Sequence, residues 1–207
     1  MIAPKKGRLE VVCGSMFSGK TEELMRRVKR AEFARQNVLT LKHQLDNRKS
    51  QTCLVSHSGQ EYAALPIQDD VTSLKQILEL ATPLTTVVGI DEVQFFPAEI
   101  VEIIMQLVDR GVRVIVAGLD LDFRGEPFGI MPVLLSVADE VLKLKAICVL
   151  CSNDAHHTQR IINGSPARYD DPIILVGAAD YYEARCRNCF QIGAPALQQT
   201  PQHQPTL

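Results

Sequence analysis

Lys20 and Thr21 close the run Gly14-Ser15-Met16-Phe17-Ser18-Gly19-Lys20-Thr21, which fits G-x-x-x-x-G-K-[ST] and follows the apolar stretch Leu9-Glu10-Val11-Val12-Cys13. A strand that stops at a glycine, wraps a short loop and opens a helix aims backbone N–H groups and the positive end of the helix at one point, where a phosphate chain sits. In such a loop Lys20 reaches the β and γ phosphates, Thr21 places its hydroxyl on Mg²⁺, and Gly14 and Gly19 let the backbone approach the oxygens. An ordinary strand-to-helix turn has the same local shape. The strand before the motif and the stripe Leu24, Val28, Ala31 over residues 21–36 favour the phosphate loop.

A second chemical group is Asp91-Glu92, at the end of the apolar run Val87-Val88-Gly89-Ile90. A carboxylate in that place holds Mg²⁺ opposite the hydroxyl of the loop, which is the role for Asp91. Glu92, beside it, either orients a water, as in an ATPase, or takes a proton from a bound hydroxyl, as in a kinase. An acidic pair after a strand also suits a helix N-terminus, and the upstream loop is what favours the nucleotide site.

Cys148-Val149-Leu150-Cys151 and Cys186-Arg187-Asn188-Cys189 form two C-x₂-C pairs. Each pair turns two sulfurs inward from a tight knuckle, and four thiolates complete a tetrahedral Zn²⁺ site closed to water, hence structural. Redox chemistry of the thioredoxin type needs one pair at a helix start and fits less well. The long separation of the pairs makes the chain between them an excursion with its own task. Cys13 and Cys53 are left over as small apolar fillers. Aromatic residues are few, so their grouping carries information: Phe95-Phe96, Phe123 and Phe128 around Arg124-Gly125-Glu126-Pro127, and Tyr181-Tyr182. Planar rings grip a nucleobase, although any single ring is more readily a core residue.

The elements that must position these groups alternate. Residues 37–43 read as a strand, 44–60 as a long polar loop, 71–81 as a helix ended by Pro83, and 85–90 as a buried strand. Ile100, Ile103, Ile104, Leu107 and Val108 make the stripe of a further helix, which Gly111 closes before the strand 112–117. This rhythm predicts an α/β fold of the P-loop, RecA-like kind: a mostly parallel sheet with helices on both faces and the ligand at the carboxyl ends of the strands. Near Lys145 the helical periodicity stops. The chain therefore divides into an ATP-binding unit over 1–145, a small zinc-binding, zinc-ribbon-like unit over 146–193, and a Gln- and Pro-rich tail over 194–207 expected to be disordered.

The 207 residues carry a formal charge of −2, which gives no basic surface for nucleic acid. A hydrophobic content of 46% with 22% charged residues is that of a globular domain that buries a core. No apolar run approaches the roughly 18 residues that span a bilayer, and the first residues lack the apolar stretch of a signal peptide. The expectation is a cytoplasmic protein with no membrane partner, whose cysteines serve a metal and not disulfides.

At these residues the chain resembles the compact, zinc-containing cytosolic thymidine kinases. The phosphate loop, Asp91-Glu92-Val93-Gln94-Phe95-Phe96, Gly118-Leu119-Asp120-Leu121-Asp122-Phe123-Arg124-Gly125-Glu126-Pro127-Phe128 and the two cysteine pairs stand in the family's order over residues 7–193. The resemblance implies that Glu92 is the general base for the nucleoside 5′-hydroxyl, and that Asp91, Val93 and Gln94 belong to the nucleotide and metal environment. It also implies that Asp46, Asn47 and Arg48 approach the phosphates. Met16, Leu119, Phe123, Phe128 and Tyr182 would line the base pocket. Ile173, Ile174, Leu175, Val176 and Gly177 would hold the base through their backbone, on a lasso that folds over the nucleoside.

The implied reaction moves the γ-phosphoryl group of ATP to thymidine, with deoxyuridine as a second candidate acceptor, to give dTMP and ADP in nucleotide salvage for DNA synthesis. The family is often tetrameric and inhibited by dTTP, so a homotetramer with dTTP feedback is expected. Lys49 departs from an aromatic common after the loop's Asp-x-Arg, and Ala178 from a second glycine. Two other classes fit the loop and Glu92. A RecA-like ATPase would hydrolyse ATP under stimulation by DNA or RNA, and a nucleotide-sensing scaffold would bind ATP without turnover.

Overall fold

The computed structural model describes residues 6–45, 53–55, 59–174 and 181–195. In chain order the first unit runs β1 (Arg8–Cys13), α1 (Lys20–Phe33), β2 (Val38–His43), β3 (Cys53–Val55), β4 (Glu61–Ala63), β5 (Leu65–Ile67), α2 (Val71–Leu80) and β6 (Val87–Asp91). It continues with α3 (Ile100–Asp109), β7 (Arg113–Gly118), α4 (Met131–Val137) and β8 (Glu140–Lys143). The second unit is built from β9 (Ala146–Ile147), β10 (Asp154–Ala155), β11 (His157–Ile162), β12 (Ser165–Pro166) and β13 (Tyr181–Arg185).

Leu9, Val11, Val12 and Cys13 of β1 are fully buried, on both faces of the strand, as a central parallel strand between two helical layers must be. The six-stranded sheet has the order β5-β2-β6-β7-β1-β8, with every pairing parallel. One face is covered by α1, whose Leu24, Met25, Val28 and Ala31 pack on Val12, Val87, Ile115 and Ala117. The other carries α2, α3 and α4, which bring Leu74, Ile77, Ile100, Ile104, Leu107, Met131 and Leu134 onto Leu9, Val11, Val88, Ile90, Val114 and Val116. Helices on both faces are what the sequence rhythm predicts.

Several boundaries differ, each for a local reason. The first helix stops at Phe33, short of residue 36, because Arg35 takes the left-handed conformation (φ 59°) and Gln36 N–H folds back to Ala31 O at 3.1 Å. The strand expected over 85–90 runs Val87–Asp91, since Thr86 N–H is spent on Asn37 O at 3.0 Å. The loop expected over 44–60 contains β3, paired antiparallel with β4 and anchored by fully buried Leu54 and by Lys42 Nζ donating to Cys53 O at 3.0 Å. Gly111 does close α3, at φ 90° with its N–H on Val108 O. No helix among the described residues is long and apolar enough to cross a membrane.

From Ala146 onward the described strands pair only with one another. β9 and β10 form an antiparallel pair, and β11 pairs antiparallel with β12 on one side and β13 on the other. The core of this lobe is small: Ala146, Ala155 and Ala184 with Cys148 and Cys186. Most of the expected tail, residues 196–207, lies outside the described residues.

Candidate active site

β1 and β6, with β7 between them, bring residues 14–21 and Asp91-Glu92 together at the carboxyl ends of the parallel strands. At the end of β1, Gly14 has φ 144°, and a Cβ there would fall inside contact distance of the Leu144 carbonyl, so the loop can start only on glycine. Phe17 (φ 65°) and Gly19 (φ 87°) turn the chain into α1. Ser18 Oγ and Lys20 Nζ each donate to Ser15 O at 2.8 Å, which curls the lysine over the loop. Thr21, in the first turn of α1, donates its hydroxyl to Asp91 Oδ2 at 2.9 Å, and Glu92 N–H donates to Asp91 Oδ1 at 3.0 Å. Hydroxyl and carboxylate together are the all-oxygen pair that a hard divalent cation takes.

Glu92 is buried and left-handed (φ 54°, ψ 40°). That conformation costs a non-glycine residue of order 1–3 kcal/mol and persists only where the surroundings enforce it. Here it breaks β6 sharply, so that a short 3₁₀ turn, Val93–Phe95, begins at once. Gln94 Nε2 donates to Glu92 Oε2 at 2.6 Å, and Gln94 Oε1 accepts from Leu119 N–H at 3.0 Å, after the end of β7. The carboxylate is thereby tied to a second segment of the site.

The residues named for a base pocket are held by contacts from several segments. Phe128 meets Phe95 edge-on, ring centroids 5.6 Å apart. Phe123 is buried under the guanidinium of Arg160, 5.1 Å from the ring centre, and Arg160 is the β11 partner of Tyr182 in β13. Met16 N–H donates to Thr158 Oγ1 at 3.0 Å, while Ser15 Oγ reaches Ala155 O at 3.4 Å. Ile173 and Ile174 are exposed, and Arg160 holds the chain just before them by donating to Pro172 O at 2.6 Å. Asp46, Asn47, Arg48, Leu175, Val176 and Gly177 lie outside the described residues.

Sequence reasoning passed over Thr158 and Arg160. They sit in a strand with no motif, and their partners are far along the chain, 142 residues in the case of Met16 and Thr158. The one available signal was the dense polar run His157-Thr158-Gln159-Arg160, four buried polar residues in a row. Asp120 and Lys143, paired at 2.6 Å, were also unassigned.

In the lobe, Cys148 and Cys151 lie in the turn between β9 and β10, and Cys186 and Cys189 in the turn after β13. All four sulfurs lie within 4.8 Å of one another, with Cys151 to Cys186 at 3.5 Å and Cys189 to Cys151 at 3.6 Å. These are not disulfide distances, and they approach the edge of about 3.8 Å that a tetrahedron with 2.3 Å Zn–S bonds requires. Backbone N–H groups, that of Cys186 foremost, pull the Cys148 thiol down to about 6. Cys189 keeps a proton for Cys151 and Cys186 and is pushed up to about 12. The donor set fits zinc, which would be held by four sulfurs with no position open to substrate.

Solved structures similar to this chain include the genome packaging NTPase B204 from Sulfolobus turreted icosahedral virus 2 in complex with ATP-gammaS, at 16% identity and a TM-score of 0.46. The same protein in complex with sulfate matches at 19% identity and a TM-score of 0.45. Each match covers 66% of this chain and 74% of that one. Residues 7–190 match the model of the family described as thymidine kinase, a span from the first strand to just past the second cysteine pair, and the chain belongs to that family.

Proposed function

We propose that the protein is an ATP-dependent thymidine kinase which transfers the γ-phosphoryl group of ATP to the 5′-hydroxyl of thymidine, giving dTMP and ADP. The observation that carries this reading is the placing of a buried carboxylate, Glu92, next to the Thr21–Asp91 pair and tied through Gln94 to Leu119. A carboxylate there takes the alcohol proton as the 5′-oxygen forms its bond to the γ-phosphorus and the bond to the bridging oxygen of ADP breaks. Positioning and charge neutralisation supply most of the acceleration in phosphoryl transfer, so little covalent work falls to the protein.

Backbone N–H groups of residues 14–19 and Lys20 bind the phosphates in this reading, joined by Asp46, Asn47 and Arg48. Thr21 and Asp91 would hold Mg²⁺, which would supply positive charge to offset that of the phosphates. Met16, Leu119, Phe123, Phe128 and Tyr182 enclose thymine, and the backbone of residues 173–177 reads its edge. Zinc on the four cysteines is structural. We place the enzyme in the cytoplasm, in nucleotide salvage, as a homotetramer inhibited by dTTP, with deoxyuridine as a second candidate acceptor.

The test is a labelled-phosphate transfer assay over the four deoxynucleosides, with Glu92→Gln alongside. Transfer to thymidine is expected, and the variant should bind ATP and thymidine while losing about 10²-fold or more in turnover, the scale of a lost general base. Transfer to water alone, stimulated by nucleic acid and indifferent to thymidine, would replace this reading with that of an ATPase. Near-normal turnover in the variant would remove Glu92 from its role.

A further inference from the structure

We infer that Gln94 is the positioning residue of the Glu92 carboxylate, and that it links the base to the wall of the nucleoside slot. The inference rests on the reading of Glu92 as general base and adds the device that aims it. Gln94 is 2% exposed, and its amide is used at both ends: Nε2 toward Glu92 Oε2 at 2.6 Å, Oε1 from Leu119 N–H at 3.0 Å. A backbone N–H can only donate, so Leu119 dictates that the amide oxygen faces it. The amide nitrogen is then left pointing at Glu92, and an N–H is the group that a carboxylate accepts. A flipped amide would set oxygen against oxygen at Glu92 and hydrogen against hydrogen at Leu119. The main chain thus fixes the sign of the contact as well as its place.

Two glycines from separate segments make room for this residue, Gly118 for its side chain and Gly129 for its main chain. A Cβ on Gly118 would stand 2.6 Å from Gln94 Oε1 and 3.0 Å from Met131 Sδ, and one on Gly129 (φ 49°) would collide with the Gln94 carbonyl. The pocket is therefore shaped around Gln94 from the end of β7 and from the turn before α4. Leu119 belongs to the proposed base slot, so a shift of that wall is passed through one amide to the carboxylate. Val93, Gln94 and Asp91 look alike in sequence as neighbours of the nucleotide, yet the Gln94 amide is turned to the base and to the slot.

The experiment is a double-mutant cycle on full-length protein, using Gln94→Met, Glu92→Gln and the pair, with kcat and KM read for ATP and thymidine. Expected for Gln94→Met is a kcat lower by about 10- to 100-fold, the cost of a base misplaced by an ångström or less, with both KM values within about twofold. In the Glu92→Gln background the same change should cost less than about twofold, because a base that is absent cannot be misaimed. A second variant, Gly118→Ala, pushes on the Gln94 oxygen without removing it. It should reproduce the loss in kcat and the non-additivity, and it carries the test alone if the methionine variant fails to fold. A raised KM for ATP or thymidine with kcat intact would make Gln94 a substrate contact and overturn the inference. A loss that multiplies through in both backgrounds would make it structural and do the same. Failure of the underlying reading is separately visible, as near-normal turnover in Glu92→Gln alone.

Discussion

The parallel-sheet unit and the cysteine lobe reach order by opposite means. In the sheet unit, valine, isoleucine and leucine side chains fill both faces of the central strands β6, β7 and β1, and burial at about 25 cal/mol per Å² is ample to hold it. In the lobe the corresponding core is three alanines and two cysteines, while Ile147, Val149 and Leu150 are left exposed on the knuckle. Strands of two to six residues with so little to bury do not hold together by hydrophobic contact alone. The difference teaches that the four clustered cysteine sulfurs stand where a core would otherwise be. The less self-sufficient unit also touches the loop of residues 14–19 in the other, where Ser15 Oγ donates to Ala155 O and Met16 N–H to Thr158 Oγ1.

The strongest way to break that contrast is to take away the sulfurs. Structural zinc carries roughly 10–16 kcal/mol of apparent folding free energy in small domains, so Cys186→Ser or chelation should unfold the lobe. Metal analysis should give about one zinc per chain before treatment. Helical circular dichroism from α1, α2 and α3 should survive while phosphoryl transfer drops below about 1% of its starting value, because the loop loses its support. Retained activity without metal would show that the lobe folds on contacts of its own.

A substitution confined to the sheet unit should have the complementary outcome. Glu10, with no exposed side-chain surface, takes Arg27 at 2.5 Å, Arg113 at 2.6 Å and Arg8 at 2.7 Å. Glu10→Gln takes the counter-charge from Arg113 and Arg8, while Arg27 keeps Glu23 at 2.8 Å and Glu140 at 2.9 Å, and should cost about 1.5–3 kcal/mol in urea unfolding, with zinc content unchanged. Burial pushes the Glu10 carboxyl up, but the bonds from Arg113 and Arg27 outweigh it and hold it below its ordinary range. A carboxyl depressed in the folded state stabilises above its unfolded value, about 4.3, and loses that contribution as pH falls through the folded value. The variant should accordingly show a flatter loss of stability in acid than the parent.

The smallest effect belongs to the seam. Thr158→Val keeps the shape of the side chain and removes the acceptor for Met16 N–H, which should weaken ATP binding by about tenfold, the worth of one hydrogen bond. Calorimetric titration checks it. Unchanged affinity would mean that the two units touch at the loop without the lobe steadying it.

How much of this could be read from the chain depends on how local each feature is. The phosphate loop, α1 and α3 were readable because their glycines, stripes and caps lie within one or two turns of each other. The cysteine set was readable from spacing alone. β5 escaped because Leu65-Pro66-Ile67 is a three-residue strand interrupted by proline at the sheet edge, where a missing N–H is tolerated. β8 and α4 escaped because four mostly exposed residues and a seven-residue helix with Pro132 at its start give no period to recognise. The tie from Glu92 through Gln94 to Leu119 was unreadable for another reason: it depends on which end of an amide faces which strand, and on a backbone N–H that every residue but proline has.

The junction between the units is itself part of the phosphate loop's foundation. Leu144 N–H donates to Cys13 O at 2.8 Å, and its carbonyl occupies the space that a side chain on Gly14 would need. A connection stitched in this way is no swivel. The lobe is therefore not a transplantable module: a flexible tether in place of this connection would lose both the hydrogen bond to Cys13 and the carbonyl that walls in Gly14.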